Sequence, residues 1–295
     1  MSEALPQNEA LPPTSPNQPI PFSRHAKPPA VRVAPKPPAM RVAPGLGRHI
    51  IGLGIFGLGL AFFVWGDFIS GQPVPNDFPH RTALAYIVGA FLVIAAAALQ
   101  FRRSAAVSAA ALTVYYILIV VLLMNGPGLL AHFAEYGTYE GVTEQLAIAA
   151  AALILFATHA RLTPATATRL TILGQVAFGL CALVWGGAHF IYMNLTAPLI
   201  PKWLPPSQVF WGYLTGVAFL AAGFAILSRI QARLAATLLT IMLATFTFLV
   251  HIRILLTDHR TEFNWTELAL NVTLLGAAWI VADSFTPQPL LPPSA

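Results

Sequence analysis

Cysteine is nearly absent from this sequence, and its absence excludes several functions. Cys181 is the single cysteine among 295 residues. Dithiol exchange needs two cysteines, so the chain cannot carry out a disulfide relay within itself. The sequence also contains no Cys-x-x-Cys-His haem attachment and no P-loop, which removes support for covalent haem and for nucleotide-driven transport. We therefore expect Cys181 to be a small, buried, apolar residue.

Charged residues are also scarce, and their scarcity indicates a membrane protein. Charged residues make up 9% of the chain and hydrophobic residues 57%, whereas about 25% of a soluble domain is charged. Lipid offers the backbone no hydrogen-bond partners, so long apolar segments must cross it as helices. Segments of roughly 20 apolar residues are long enough. We predict an all-α polytopic protein with eight transmembrane helices, at residues 49–70, 82–101, 104–124, 142–159, 170–193, 209–228, 232–252 and 265–283.

An internal repeat organises these segments. Leu53-Gly54, Gly59-Leu60 and Val64-Trp65-Gly66 recur 120 residues later, and Thr143-Glu144 returns as Thr266-Glu267. Such repeats indicate copies of one structural unit. Because each copy would hold an even number of helices, both would face the same way. The sequence therefore predicts two parallel four-helix bundles, over residues 48–160 and 161–285, with a short C-terminal tail at 286–295.

Basic residues predict the orientation. With the N-terminus inside, twelve of the sixteen Lys and Arg residues lie on the cytoplasmic side and four outside, as the positive-inside rule requires. Residues 1–47 contain twelve prolines and are predicted to form a disordered cytoplasmic leader. The predicted location is a bacterial inner membrane, with both termini cytoplasmic.

Motifs of the second half resemble a known family. They are His189-Phe190, the loop Pro201-Lys202-Trp203-Leu204-Pro205, Tyr213-Leu214-Thr215-Gly216 and Arg233-Leu234-Ala235-Ala236. Their order resembles the DoxX-like family of bacterial integral membrane proteins, well over about residues 170–285 and weakly over 49–160. The first half lacks the Trp-Leu-Pro loop. The resemblance implies a four-helix unit and a role as a membrane subunit of a quinone-linked redox complex with a soluble redox partner.

Asn264 and Glu267 have the spacing of a helix cap. Asn264 would be the N-cap residue and Glu267 would follow three residues later, facing the positive end of the helix dipole. Glu144, after Gly141, would do the same in the first half. On this interpretation both glutamates are structural.

Histidines near the outer face suggest a site. His189 ends the fifth predicted helix and His251 the seventh, and Arg253, Asn264 and Glu267 would come from neighbouring helix ends. Two imidazoles with a carboxylate bind a metal, a non-covalent haem or the carbonyl of a quinone. The alternative is that each histidine is half-solvated at the interface. Neither belongs to a His-x-x-x-His or Glu-x-x-His pattern, so no metal site is predicted, and a quinone or another small molecule is the ligand that these residues suggest.

Two classes of function remain open. The chain is either a quinone-linked membrane subunit or a non-catalytic membrane partner or small-molecule carrier. Ionisable residues cluster at the predicted helix ends, which speaks against a carrier, because carriers usually place some at membrane depth. No nucleophile–base constellation stands out, so no catalytic residue is assigned and an enzyme acting alone is the least favoured reading. The expected partners are the lipid bilayer and a soluble redox protein, with no nucleic acid.

Overall fold

The computed structural model describes residues 45–286, and these residues form helices and connecting loops, with no strand among them. The predicted proline-rich leader and C-terminal tail lie outside this range, apart from residues 45–47 and 286. Eight helices within it are long and apolar enough to cross a membrane, which makes the chain a multi-pass membrane protein. They are α1 (Leu46–Trp65), α2 (Arg81–Leu99), α3 (Ala105–Ala131), α4 (Tyr136–His159), α5 (Pro164–Ile191), α6 (Gln208–Ser228), α7 (Ala232–Thr257) and α8 (Glu262–Ser284).

Several helices extend beyond the predicted spans. Helices α4 and α5 begin six residues earlier, at Tyr136 and Pro164. At the start of α5, the Thr163 hydroxyl accepts a hydrogen bond from the Thr166 N–H at 3.3 Å, and Pro164 occupies the first helical position. Caps of this kind begin a helix in polar sequence. A run of apolar residues marks only the part of a helix that lies in lipid. The predicted starts of α4 and α5 are therefore six residues too far along the chain.

Helices α3 and α7 each contain a π-helical segment. It covers Tyr115–Asn125 in α3 and Thr247–Ile252 in α7. A π-helix inserts an extra residue per turn, rotates the following side chains and is frequent at functional sites. Both helices continue past their predicted ends, α3 to Ala131 and α7 to Thr257.

Helices α4 and α8 lie at the centre of the molecule. Helix α8 packs against α1, α7 and α4, while α4 packs against α3, α5 and α8. A larger share of these two helices is buried than of the other six. Polar side chains on their inner faces therefore face protein rather than lipid.

Small residues allow the helices to approach closely, as Gly54 illustrates. A side chain at Gly54 of α1 would meet the backbone of Thr273 in α8, and one at Gly276 of α8 would meet the backbone of Ile51 in α1. Without a hydrophobic driving force in lipid, such contacts hold membrane helices together. At Gly54 and Gly276 the lack of a side chain therefore lets α1 and α8 pack closely.

Both ends of the described chain lie on one side of the bundle. The Gly45 N–H donates to Asp283 Oδ2 at 3.0 Å, which joins the start of α1 to the end of α8. We call this the terminal side and the opposite one the far side. The loops between α1 and α2, α3 and α4, α5 and α6, and α7 and α8 therefore all lie on the far side.

Candidate functional site

A cavity of about 600 Å³ lies at the far side of the second half of the chain. Helices α5, α6, α7 and α8 form its walls with the loop after α5, and α4 contributes a single residue. Twelve of the twenty lining residues are apolar, and five of these are leucines. Ligand sites commonly combine an apolar lining with a few polar groups. The polar side chains here are Glu140, His189, Thr196, Trp211, Thr215, Thr245, His251 and Glu267.

The hydrogen bonds of His189 fix its tautomer. Its Nδ1 lies 3.1 Å from the Gly212 carbonyl oxygen and 3.1 Å from Thr215 Oγ1. The Thr215 hydroxyl itself donates to the Trp211 or Gly212 carbonyl oxygen, at 2.9 and 3.0 Å. Both neighbours of Nδ1 therefore accept, and Nδ1 must carry the proton. In the neutral ring, Nε2 is left as an acceptor.

His251 lies in the π-helical segment of α7 and lines the same cavity. Its imidazole makes no hydrogen bond and no ring contact with any described residue. Because nothing fixes its tautomer, either nitrogen can donate or accept. Neighbouring Asn271 of α8 holds this part of α7 in place, since its Nδ2 donates to the Leu243 carbonyl oxygen at 3.2 Å and to Thr247 Oγ1 at 2.7 Å.

Glu267 and Glu140 contribute two carboxylates from the central helices α8 and α4. Neither carboxylate has a hydrogen bond or ion pair with any residue that the structure describes. Glu267 lies about 7.5 Å along α8 from its first residue, and Glu140 about 6 Å along α4, at 1.5 Å per residue. An unpaired polar group at membrane depth marks a functional site more often than a structural one.

Glu144 completes a group of neighbouring carboxylates but does not line the cavity. It lies about 12 Å along α4, at 1.5 Å per residue, close enough to Glu140 and Glu267 to interact with both electrostatically. The expectation that every ionisable residue lies at a helix end is therefore wrong at this position.

The predicted cap at the start of α8 is wrong. Helix α8 begins at Glu262, its N-cap is Thr261, and no side chain caps it. Asn264 already lies inside the helix, where its Nδ2 donates to the Asp258 carbonyl oxygen at 2.8 Å. Residues 262–264 are helical, which the spacing of Asn264 and Glu267 alone did not reveal. Glu144 likewise lies in the third turn of α4 rather than at its start.

The structure brings three of the five predicted site residues together. His189, His251 and Glu267 line one cavity, whereas Arg253 and Asn264 do not. Arg253 instead donates from Nη2 to the Leu199 carbonyl oxygen at 2.9 Å, and so ties the end of α7 to the loop that borders the cavity. Sequence reasoning missed Glu140. Its position four residues before Glu144, on the same helical face, was the available signal.

The loop between α5 and α6 closes one side of the cavity. Trp211 Nε1 donates to the Pro205 carbonyl oxygen at 2.8 Å, and Gln208 Nε2 donates to the Ile200 carbonyl oxygen at 2.5 Å. Pro201 and Leu204 of this loop line the cavity. Trp203 of the same loop is 69% exposed, and tryptophans are enriched at the membrane–water interface.

The described residues contain no group of three or more His, Cys, Asp or Glu that could hold a metal ion. Cys181 is buried in the middle of α5, as expected.

One family model matches the chain. Residues 178–282 are similar to a family described as a domain of unknown function (DUF8561). This stretch runs from the middle of α5 to near the end of α8, and it contains every cavity-lining residue except Glu140. No curated protein and no solved structure matches the chain.

Proposed function

We propose that the protein binds a quinol or quinone in the far-side cavity, as the membrane subunit of a quinone-linked redox complex. The observation that carries the proposal is one mainly apolar cavity in which two imidazoles and two carboxylates have free hydrogen-bonding capacity. The DoxX-like resemblance of residues 170–285 implies the same class of ligand.

The fixed tautomer of His189 favours the quinol form. Its Nε2 is an acceptor, so it pairs with the hydroxyl of a quinol and not with the carbonyl of a quinone. Glu267 accepts a hydrogen bond from the second hydroxyl, and the apolar lining contacts the ring. Oxidation of a quinol releases two electrons and two protons. The electrons pass to a redox centre of the soluble partner, and His189 and a carboxylate take the protons. The quinone supplies the redox chemistry, and the protein supplies binding and orientation.

The proposed architecture is a tandem duplication of a four-helix unit. Three observations support it. Helix α1 packs on α8 as α5 packs on α4, the third helix of each half carries a π-helical segment, and Glu144 and Glu267, which correspond in the sequence repeat, lie on the central helices α4 and α8. A rotation about an axis near the membrane normal would relate two such parallel units.

The proposed orientation places the terminal side in the cytoplasm of a bacterium. The loop residues Arg102, Arg103 and Arg161 lie on that side, as do Arg229 and Arg233 around the turn between α6 and α7. This arrangement supports a cytoplasmic terminal side under the positive-inside rule. The cavity would then open toward the outer face.

Quinol binding is tested with the purified chain in lipid nanodiscs. A tailless ubiquinol analogue should bind, and His189→Leu should raise its Kd by roughly three- to tenfold, the value of one neutral hydrogen bond. Removing His189 leaves no orphaned partner, because Thr215 also donates to the Gly212 carbonyl oxygen. The matched control is His259→Leu, an exposed histidine outside the cavity. Equal affinity for the parent and His189→Leu would contradict the proposal.

Glu144 favours a second candidate, a small-molecule carrier. Its carboxylate lies beyond the cavity toward the middle of α4, near Glu140 and Glu267, and carriers use acids at such depth. Acids in this position suit an organic cation. Uptake of a labelled organic ammonium ion into proteoliposomes, lost in Glu144→Gln, would support a carrier, and absence of uptake by the parent would exclude this form of it.

A further inference from the structure

A shallow groove of about 280 Å³ runs between α6 and α7. Apart from Gln231 at the start of α7, its lining is alanine, leucine and one methionine. Its α6 wall consists of alanines at positions 218, 221, 222 and 225, which recur at helical spacing along one face. Small side chains on α6 opposite larger ones on α7 leave a channel between the two helices.

The groove and the cavity share part of their lining. Ala218, Leu238 and Met242 border both. From Gln231 to Met242 the groove follows α7 for about 16 Å, at 1.5 Å per residue. Leu234 and Leu238 are 45% and 50% exposed on its open side, where the surroundings are lipid. An apolar channel reached from the bilayer thus adjoins a cavity that contains the polar groups.

We infer that the α6–α7 groove binds the hydrocarbon tail of the ligand whose head occupies the cavity. The ligand is then an alkyl- or isoprenoid-tailed membrane molecule that enters sideways from the bilayer, rather than a water-soluble compound. The inference rests on the proposed function and specifies its ligand class. The graded polarity matches such a molecule, because Glu267, His189 and His251 lie at one end and the alanines and leucines at the other.

A slender chain fits the groove better than a protein helix does. An α-helix is about 10 Å across with its side chains, and a length matching the groove would fill several times the volume present. A single hydrocarbon chain has no such width and can follow the space between two packed helices. A second transmembrane chain is therefore not the occupant.

Two quinol probes with the same head test the inference, one with a methyl group and one with a decyl tail. Filling the groove by Ala225→Phe or Ala221→Phe should weaken binding of the decyl probe by roughly fivefold or more, the cost of overpacking. Binding of the methyl probe should stay unchanged. Each variant is compared with the parent for the same probe, so partition of the tail into the bilayer cancels. The matched control is Ala97→Phe, an exposed alanine on α2 far from the groove.

Equal losses for both probes, or no loss for the decyl probe, would overturn the groove assignment. If neither probe binds the parent, the proposed function fails instead, so the two failures are distinguishable. A decyl probe with a diazirine at the tail end gives an independent reading with the unaltered chain. It should label α6 and α7 between residues 221 and 238, and labelling confined to other helices would refute the inference.

Discussion

At His189, a backbone carbonyl determines which nitrogen of the imidazole is free to accept a hydrogen bond. The Gly212 carbonyl oxygen takes the Nδ1 proton, so the free nitrogen can only accept. His251 has no such contact, so either of its ring nitrogens can donate or accept a hydrogen bond. The two histidines looked equivalent in the sequence, as single residues near helix ends. Their different hydrogen bonding gives them different chemistry, with His189 suited to a hydroxyl and His251 able to adapt.

Glu267→Gln and Glu144→Gln separate the two proposed functions. Of these two residues, only Glu267 lines the cavity. Glu267→Gln should therefore weaken binding of the tailless quinol by roughly tenfold or more, because hydrogen bonds to charged groups are stronger than those between neutral groups. Glu144→Gln is the matched control and should bind like the parent. Titration calorimetry in nanodiscs measures both. An equal loss in the two variants would show that the carboxylates act as a unit and would count against a direct contact at Glu267.

At the scale of the helices, the sequence predicted their existence and order but not their ends or irregularities. Apolar length is a local property, so all eight crossings followed from it. The π-helical segment at Thr247–Ile252 depends on packing against α8, where Asn271 bonds to the Leu243 carbonyl oxygen and to Thr247. The sequence carries no local signal of that contact. Convergence of His189, His251 and Glu267 could be expected from their positions at corresponding helix ends, whereas the size of the cavity could not.

The loop between α1 and α2 contains an ion pair whose effect on stability depends on pH. Arg81 donates to Asp67, and this hydrogen bond holds the pKa of the Asp67 carboxyl below its usual value of 3.8. A group whose pKa is lower in the folded state stabilises the fold above its unfolded pKa, and this contribution is lost as the pH falls through the folded pKa. Asp67 is 52% exposed, so solvent screening limits the effect to less than about 1 kcal/mol.

Asp67→Asn should therefore lower Tm slightly at pH 7, and the difference from the parent should shrink below pH 3.8 and vanish once the pH is below the lowered pKa of the folded state. Thermal unfolding in detergent at several pH values measures this. Asp77→Asn is the matched control, because Asp77 lies in the same loop and makes no ion pair with a described residue. A Tm difference of the same size at pH 3 as at pH 7 would rule out the ion pair as its source.

At the scale of the whole molecule, the two halves of the proposed duplication differ in the loop after their first helix. Phe68, Ile69 and Gln72 of the loop after α1 are buried, and Tyr115 donates to Gln72 Oε1 at 2.5 Å. The corresponding loop of the second half, after α5, instead borders the cavity. A duplicated unit can keep one copy for packing and the other for binding. The first half also lacks the Trp-Leu-Pro loop, which in the second half contributes Leu204 to the cavity lining.

The proposed orientation predicts where a topology reporter becomes active. Both described ends lie on the terminal side, joined by the bond from Gly45 to Asp283. A phosphatase that works only outside the cytoplasm should be silent when fused after Ala295. The loop between α3 and α4 lies on the far side, so a reporter inserted after Ala134, before the first residue of α4, should be active. A fusion at Arg161, between α4 and α5, should be silent again because that loop returns to the terminal side. The reverse pattern would invert the orientation and place the cavity at the cytoplasmic face. An active reporter at both Ala134 and Arg161 would contradict the proposal that α4 crosses the membrane.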